Sequence, residues 1–253
     1  ISIATKLNLR GPVNLHFLLA NDQIYLLQIK SYSGHNVAFL TKALKKDITA
    51  ITMKVLLGST LSELDLPSDI WPSNDLIHVK MPVFSYLSYS SENTFDSKMK
   101  TSGSVMGRAK HLPTALFKGY EGSDLMISTY GTVFISVKDS EKHNAIKIAA
   151  RFHQLGFKLL ATEGTANVLA EEGITTGIIE KVQEGSNSLL EKIKQHRINL
   201  VINVTSLSDS ASHDAIMIKD AALSTHIPVF SSLQSAQDVL IVLETLAMTT
   251  QPL

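Results

Sequence analysis

Apolar residues in the first part of the chain fall into short runs that predict a β-hairpin. Residues 13–19 and 24–29 are rich in Leu, Ile, Val and Phe, and the polar segment 20–23 separates them. Two apolar runs joined by a short polar connection are typical of a hairpin. We therefore expect two antiparallel strands here.

A helical pattern follows the hairpin. Residues 36–44 and 48–57 carry apolar side chains three and four positions apart, which predicts two short helices. Asp47 stands before the second segment as a candidate N-cap, and Gly58 follows that segment as a stop signal.

The pattern weakens towards the middle of the chain. Residues 77–84 alternate and predict a strand, and Pro82 favours an edge or the end of that strand. The polar stretch 85–104 predicts a loop, residues 113–120 a short helix, and residues 119–131 a glycine-bounded linker.

From about residue 125 onwards, five short apolar strands alternate with five helical segments. This alternation predicts an α/β fold with a doubly wound, five-stranded parallel sheet and right-handed crossovers. The predicted strands are 133–137, 157–161, 176–179, 200–204 and 228–230, and the predicted helices are 143–155, 166–172, 188–196, 214–225 and 235–248. We expect two domains, 1–124 and 125–253. Ligands of such sheets bind beyond the carboxyl ends of the strands, so we expect function at those ends of the second domain.

Composition narrows the class of protein. Charged residues make up 18% of the 253 residues, against about 25% in an average soluble domain. No apolar run approaches the roughly 20 residues of a membrane-spanning helix, which predicts a soluble protein. Lys and Arg together number 23, as do Asp and Glu, so no net charge favours nucleic acid or an acidic membrane as a partner.

Residue usage also bears on the compartment. Cysteine is absent, which argues against disulfides, thiol nucleophiles and cysteine-ligated metals and fits a cytoplasmic protein. The N-terminus lacks the basic and apolar regions of a signal peptide. The chain begins at Ile1 with residues patterned like the middle of a domain, and we expect it to be a piece of a longer protein.

Five histidines of the second domain lie on or near predicted helices without paired ligand spacing. They are His143, His153, His196, His213 and His226. We expect structural or surface roles for them rather than metal binding.

The stretch 159–169 leads from a predicted strand through Thr162-Glu163-Gly164-Thr165 into a predicted helix. Gly164 allows a tight turn, and Thr165 can cap a helix whose free N–H groups attract an anion. The hydroxyls of Thr162 and Thr165 would add donors to those N–H groups. Taken by itself, the stretch leaves two interpretations open, a phosphate-binding loop or ordinary turn chemistry.

Hydroxyl, amide and ammonium groups stand beyond the predicted strands, with few acceptors nearby. They belong to Ser136, Lys142, Thr162, Thr165, Lys181, Asn203 and Thr205, which we call the rim. A single lysine of this kind is more simply interpreted as a solvated surface charge. The carboxyl ends of parallel strands meet at one edge of the sheet, however, and there these donors together suit a phosphate or carboxylate.

These motifs resemble the C-terminal part of the carbamoyl-phosphate synthetase large chain, which ends in a methylglyoxal-synthase-like regulatory domain. The matching segments of the second domain are 135–137, 155–157, 161–166, 182–185, 202–203 and 205–206. Residues 11–14 resemble the hairpin of an ATP-grasp unit, and residues 58–61 and 102–107 resemble the segments that join this unit to the regulatory domain. The resemblance implies flavodoxin-like layering for 125–253 and an α+β ATP-grasp remnant for 1–124.

The resemblance also implies a regulatory function. In that family the last domain binds nucleotides or other anionic effectors. It modulates an ATP- and Mg²⁺-dependent ligase that makes carbamoyl phosphate from bicarbonate and glutamine-derived ammonia for pyrimidine and arginine biosynthesis. Lys142, Thr162, Thr165 and Lys181 would hold the effector phosphate, and the other rim residues would complete the pocket. The implied partners are a phosphate-bearing small molecule, the remainder of the large chain and the glutaminase subunit, with neither nucleic acid nor membrane.

The first domain departs from the family's pattern. An ATP-grasp hairpin presents a Gln or Glu and then a Glu-x-Asn motif that hold Mg²⁺ against ATP, but the matching positions here are His16, Gln28 and Lys30. Mg²⁺ prefers charged oxygen ligands, and Lys30 places an ammonium group where negative charge is needed. We expect that residues 1–124 have lost ATP catalysis and that the chain alone binds no cofactor or metal and is not catalytic.

Two alternatives stay open. A free-standing phosphate lyase like methylglyoxal synthase would require a carboxylate base, for which Asp139, Glu163, Glu184 and Asp209 are candidates. The segment after the third strand lacks the Gly-Asp pair expected in that enzyme. An inactive structural module would keep the rim without a ligand.

Overall fold

The chain divides into two compact units, Ile1–Leu76 and Ile77–Leu253. The computed structural model describes residues 2–31, 34–67, 70–71, 75–84, 101–180, 188–205 and 209–249. Sequence predictions that concern residues 85–100, residues 181–185 with Lys181 and Glu184, and residue 206 lie outside these residues, as do the side chains of Asp209 and His213.

The first unit contains the predicted hairpin and helix pair. Its elements are α1 (Ser2–Lys6), β1 (Val13–Ala20), β2 (Gln23–Ser31), α2 (Gly34–Leu44) and α3 (Ile48–Leu56). Strands β1 and β2 pair antiparallel. The Asp47 side chain accepts a hydrogen bond from the Ala50 N–H at 2.9 Å and so caps α3. Gly58, with φ +110°, follows the helix, and both end signals are therefore confirmed.

The second unit begins with an antiparallel strand pair and a helix. These are β3 (Ile77–Phe84), β4 (Thr101–Ala109) and α4 (Leu112–Gly122). The prediction of a loop up to residue 104 and of a linker from residue 119 is wrong where β4 and α4 occupy those residues. A Cβ on Gly107 would lie 1.9 Å from the Ala115 carbonyl oxygen. The glycine that weakens the strand pattern therefore allows α4 to pack closely on β4.

A five-stranded parallel sheet forms the rest of the second unit and confirms the predicted fold class. Its strands are β5 (Thr132–Val137), β6 (Lys158–Thr162), β7 (Gly177–Ile179), β8 (Leu200–Val204) and β9 (Val229–Phe230), in the order β7-β6-β5-β8-β9. The helices are α5 (Lys142–Gln154), α6 (Glu163–Glu171), α7 (Ser188–Lys194), α8 (Asp209–Ser224) and α9 (Leu233–Thr249), and a 3₁₀ turn at Asp139–Glu141 precedes α5. Helices α6 and α8 begin three and five residues before their predicted starts.

Apolar clusters cover both faces of this sheet, as doubly wound sheets require. Val133, Ile135 and Ile202 point into one cluster with α4, α5 and α9, and Phe134 and Val201 point into the other with α7 and α8. Alternate residues of the buried strands thus face opposite helix layers.

Helix α4 belongs to the first of these clusters through Tyr120. Its ring packs edge-on against Phe230, with the centroids 6.4 Å apart. Burial, together with the nearby Asp238 carboxylate, raises the pKa of Tyr120 to about 12. The compact units are defined by contacts between residues, whereas the domain boundary near residue 125 was drawn from the sequence pattern and the family resemblance. That boundary stays a prediction.

An ion pair joins α5 to α9. The Arg151 guanidinium donates two hydrogen bonds of 2.7 Å to the Glu244 carboxylate, and this hydrogen bonding raises the pKa of Arg151. In the described part of the chain, no helix combines the length and apolar character needed to cross a bilayer.

Candidate functional site

The topology of the sheet directs attention to the ends of β5 and β8. The chain winds outward in one direction from β5 through β6 to β7 and in the other through β8 to β9. A crevice beyond the carboxyl ends of the strands forms where the winding direction changes, and ligands of such sheets bind there. The Lys138 N–H donates a hydrogen bond of 2.8 Å to the Val204 carbonyl and ties the two strand ends together.

Three rim hydroxyls come together at this edge, and we call them the hydroxyl cluster: Ser136, Thr162 and Thr165. The Oγ atom of Ser136 lies 3.5 Å from Oγ1 of Thr162, which lies 3.4 Å from Oγ1 of Thr165. The Val137 N–H points at the Thr165 hydroxyl from 3.5 Å. Thr162 is 6% exposed and Thr165 is 1% exposed.

The spacing within the hydroxyl cluster is wide for hydrogen bonds. Hydroxyl-to-oxygen bonds usually span 2.5–3.0 Å, and longer contacts are weak. These hydroxyls therefore satisfy one another poorly and retain capacity for the oxygens of a ligand. A ligand oxygen among them could accept shorter bonds than the hydroxyls now share.

Lys142, the first residue of α5, brings an ammonium group to the start of α6, which carries Thr165. A Cβ added to Gly164 would lie 2.7 Å from Nζ of Lys142, which places the ammonium group against the first turn of α6. The same Nζ contacts a carboxylate oxygen of Asp139 at 2.7 Å, and the Asp139 side chain is 95% exposed. Lys142 is thus held at the edge of the site by a partner that remains open to solvent.

Two local expectations about this loop are wrong. Helix α6 begins at Glu163, so the N-cap is Thr162 rather than Thr165, and the Thr162 side chain makes no capping hydrogen bond. Gly164 is part of the helix rather than of a tight turn. A Cβ at position 164 would meet the Lys142 ammonium group, the end of a flexible side chain that would have to shift.

The remaining rim residues come from β8 and the segment beyond β7. Asn203 stands beside Ser136 in the pairing of β5 with β8 and is 7% exposed. Among the described residues, its amide has no hydrogen-bond partner. No polar side-chain atom in the described part of the chain is fully buried without a partner, so the Asn203 amide keeps some access to solvent. Thr205 follows β8 and is exposed. Lys181 lies outside the described residues.

The structure therefore brings three predicted residues together by direct approach, namely Ser136, Thr162 and Thr165. It places Lys142 against Gly164, between the two threonines in the chain, and Asn203 on the adjacent strand. Their assignment to a ligand stays a prediction. Sequence reasoning missed the Asp139 partner of Lys142, although the two stand three residues apart at a helix start, where such pairs form readily. It also missed the Val137 N–H, because a backbone donor leaves no mark in a sequence.

One comparison with known protein families covers this part of the chain. Residues 144–231 match the family model of the MGS-like domain. The match begins two residues after Lys142 and ends at the residue after β9, so it spans most of the parallel sheet. Thr162, Thr165, Asn203 and Thr205 lie within the MGS-like match, whereas Ser136 and Lys142 lie just before it.

The hairpin positions that the sequence predicts to be a lost metal site lie in the first unit. His16 and Gln28 are cross-strand partners, and Lys30 stands opposite Asn14 two positions further along. His16, Gln28 and Lys30 are all exposed. Within the described residues, no group of three His, Cys, Asp or Glu side chains is placed to hold a metal ion. The loss of an ATP and Mg²⁺ site at these positions stays a prediction.

Proposed function

We propose that residues 125–253 bind a phosphate-bearing small molecule, of the nucleotide type, at the rim. The observation that carries this proposal is the hydroxyl cluster, whose hydroxyls lie 3.4–3.5 Å apart with an ammonium group beside them. A phosphate offers several oxygens that accept hydrogen bonds from hydroxyls, backbone N–H groups and cations. The match to the MGS-like domain is consistent with a regulatory module.

The rim combines two kinds of donor. Thr162 and Thr165 are buried and supply neutral, fixed donors, while Lys142 supplies a positive charge from a side chain that is 22% exposed. Hydrogen bonds to a charged group in a partly buried site are stronger than those between neutral groups in water. On binding, the ligand phosphate would compete with Asp139 for the Lys142 ammonium group.

In this proposal the chain is the C-terminal regulatory part of a cytoplasmic carbamoyl-phosphate synthase large subunit. Its partners are the remainder of the large subunit and the glutaminase subunit. The effector acts by binding one conformation of that assembly more tightly than another, since a ligand with equal affinity for both would shift nothing.

The proposal includes the loss of the ATP-grasp metal site from residues 1–124. His16, Gln28 and Lys30 offer an imidazole, a neutral amide and a cation where Mg²⁺ requires charged oxygens. Titration of the full chain with ATP should give the same heat with and without Mg²⁺. Mg²⁺-dependent binding that is weakened by Gln28→Ala would refute this part of the proposal.

A second candidate is a phosphate lyase, which the exposed Asp139 carboxylate at the same rim favours. Such a reaction needs a base that removes a proton from the substrate carbon. Asp139 is instead paired with Lys142 at 2.7 Å, so binding without chemistry remains the better-supported function. If the chain released methylglyoxal from dihydroxyacetone phosphate and Asp139→Asn abolished this activity, the lyase would become the better-supported function.

Calorimetric titration with a nucleoside monophosphate tests the main proposal. Lys142→Gln should weaken binding by about 10- to 100-fold and Thr162→Ala by about 10-fold, because each removes a donor to the phosphate. The matched controls are Lys147→Gln, an exposed lysine on the same helix, and Thr176→Ala, a threonine just before β7 at the opposite edge of the sheet. Equal binding by all four folded variants, or no binding by the parent chain, would overturn the proposal.

A further inference from the structure

A carboxylate of the chain itself holds the ammonium group that the proposed ligand would use. Nζ of Lys142 lies 2.7 Å from a carboxylate oxygen of Asp139, three residues earlier in the chain. The same Nζ lies against Gly164 in the first turn of α6, the helix that carries Thr165. The positive charge beside the candidate site is therefore already matched by a negative charge.

The two partners of this ion pair differ in their access to water. The Asp139 side chain is 95% exposed, whereas the Lys142 side chain is 22% exposed. An ion pair with an exposed partner contributes little net energy, because water solvates the released carboxylate almost as well as the cation does. Asp139 can therefore leave Lys142 at little cost when another anion binds there.

Backbone hydrogen bonds hold the turn that carries Asp139, independently of its carboxylate. The Glu141 N–H donates to the Lys138 carbonyl at 2.9 Å, and the Lys142 N–H donates to the Asp139 carbonyl. The second acid of the turn has a different partner, since the Glu141 carboxylate accepts a hydrogen bond of 3.0 Å from the Asn144 amide. Removal of the Asp139 charge should therefore leave the turn folded.

Binding of a phosphate would bring two anions to one ammonium group. A phosphate monoester carries a charge of about −1.5 to −2 near neutral pH. The Lys142 ammonium group has several N–H donors but a single charge, so it cannot neutralise a phosphate and a carboxylate together. We infer that Asp139 weakens the binding of phosphate ligands at the rim, because its carboxylate competes with the phosphate for Lys142 and repels it. This inference rests on the proposed function and adds that Asp139 sets the affinity of the site.

Calorimetric titration of the full chain with a nucleoside monophosphate tests the sign of this effect. Asp139→Asn preserves the size of the side chain and removes its charge, and it should tighten binding by about 3- to 10-fold. Glu141→Gln removes the same charge from the same turn and is the matched control. It should change the affinity by less than about 2-fold, because Glu141 is not paired with Lys142. Inorganic phosphate should show the same gain in Asp139→Asn, since the effect acts on the phosphate group.

A double variant tests whether the effect of Asp139 depends on Lys142. In a chain that already carries Lys142→Gln, Asp139→Asn should tighten binding by less than about 2-fold, because no ion pair is left to break. Amide chemical shifts, which detect weak binding, measure both affinities.

The outcomes separate this inference from the proposed function. If the parent chain binds the nucleotide and Asp139→Asn binds it equally or more weakly, the inference alone is overturned, because Asp139 then orients Lys142 rather than competing for it. An equal gain in Glu141→Gln, or a full gain in the presence of Lys142→Gln, would also overturn it, because net charge would explain the result. No binding by the parent chain or by any variant would overturn the proposed function, and the inference with it.

Discussion

The parallel sheet of the second unit and the hairpin of the first unit show two ways of placing apolar strands. In the sheet, Val133, Phe134 and Val201 are fully buried because helices cover both faces. In the hairpin, Leu19 and Ile24 are more than two-thirds exposed. In the described part of the chain, helices cover both faces of the sheet, whereas the two hairpin strands have no third strand beside them. A sheet that is buried on both faces can hold a precise site at its edge, whereas the apolar side chains of the hairpin remain exposed.

Truncation of a core side chain should have the largest effect and separates the two regions most clearly. Phe152 is fully buried and packs edge-on against Phe157 with centroids 5.5 Å apart. Phe152→Ala should lower the free energy of unfolding by about 3–5 kcal/mol. Leu19→Ala should lower it by less than about 0.5 kcal/mol. Urea unfolding followed by circular dichroism measures both, and similar values would mean that the hairpin is covered within one chain.

Raising the pH should test whether α4 belongs to the core of the sheet. Tyr120 has a pKa of about 12 in the folded chain and about 10 when unfolded, so from pH 10 upwards the unfolded chain releases a proton that the folded chain keeps. Stability is therefore lost as the pH rises through this window, by about 2–3 kcal/mol in all.

Tyr120→Phe removes that loss, and its unfolding free energy should fall less than that of the parent between pH 9 and about 11.5. The control is Tyr130→Phe, because Tyr130 is 76% exposed. Parallel pH curves for the parent chain and Tyr120→Phe would show that α4 does not bury this phenol.

Adding a methyl group at Gly164 should have the smallest effect of these changes. It should stabilise the fold and weaken ligand binding. Gly164→Ala should raise the unfolding free energy by up to about 1 kcal/mol, because alanine favours the helix. It should also displace the Lys142 ammonium group, 2.7 Å from the new Cβ, and weaken nucleotide binding by about 10-fold. Thermal unfolding and calorimetry on the same sample measure the two. Unchanged affinity would place Lys142 outside the binding site.

The sequence was sufficient to predict the strands and helices of the parallel sheet, the hairpin and the Asp47 cap, because each has a local signal in periodicity or capping. It was insufficient for β4, since Gly103 and Gly107 interrupt the apolar alternation there. Gly107 is needed for contact with the Ala115 carbonyl, a requirement set by a helix that comes later in the chain. Local pattern cannot reveal a requirement of that kind.

The candidate site was predictable to a similar degree. Strand-end reasoning identified Ser136, Thr162 and Thr165, which the structure brings together, because parallel strands end at a common edge. The role of Gly164 was not predictable, since a glycine between strand and helix usually signals a turn. The contact between position 164 and the Lys142 ammonium group becomes visible only in the structure.

The central claim is that the carboxyl ends of β5, β6 and β8 hold a phosphate, and amide chemical shifts during titration with a nucleoside monophosphate test it most directly. The account predicts saturable shifts of the Val137, Gly164 and Thr165 N–H signals, which need about 10- to 100-fold more ligand in Lys142→Gln and are unchanged in Lys147→Gln. No shifts, or shifts confined to the opposite edge of the sheet around Asn199 and His226, would contradict it.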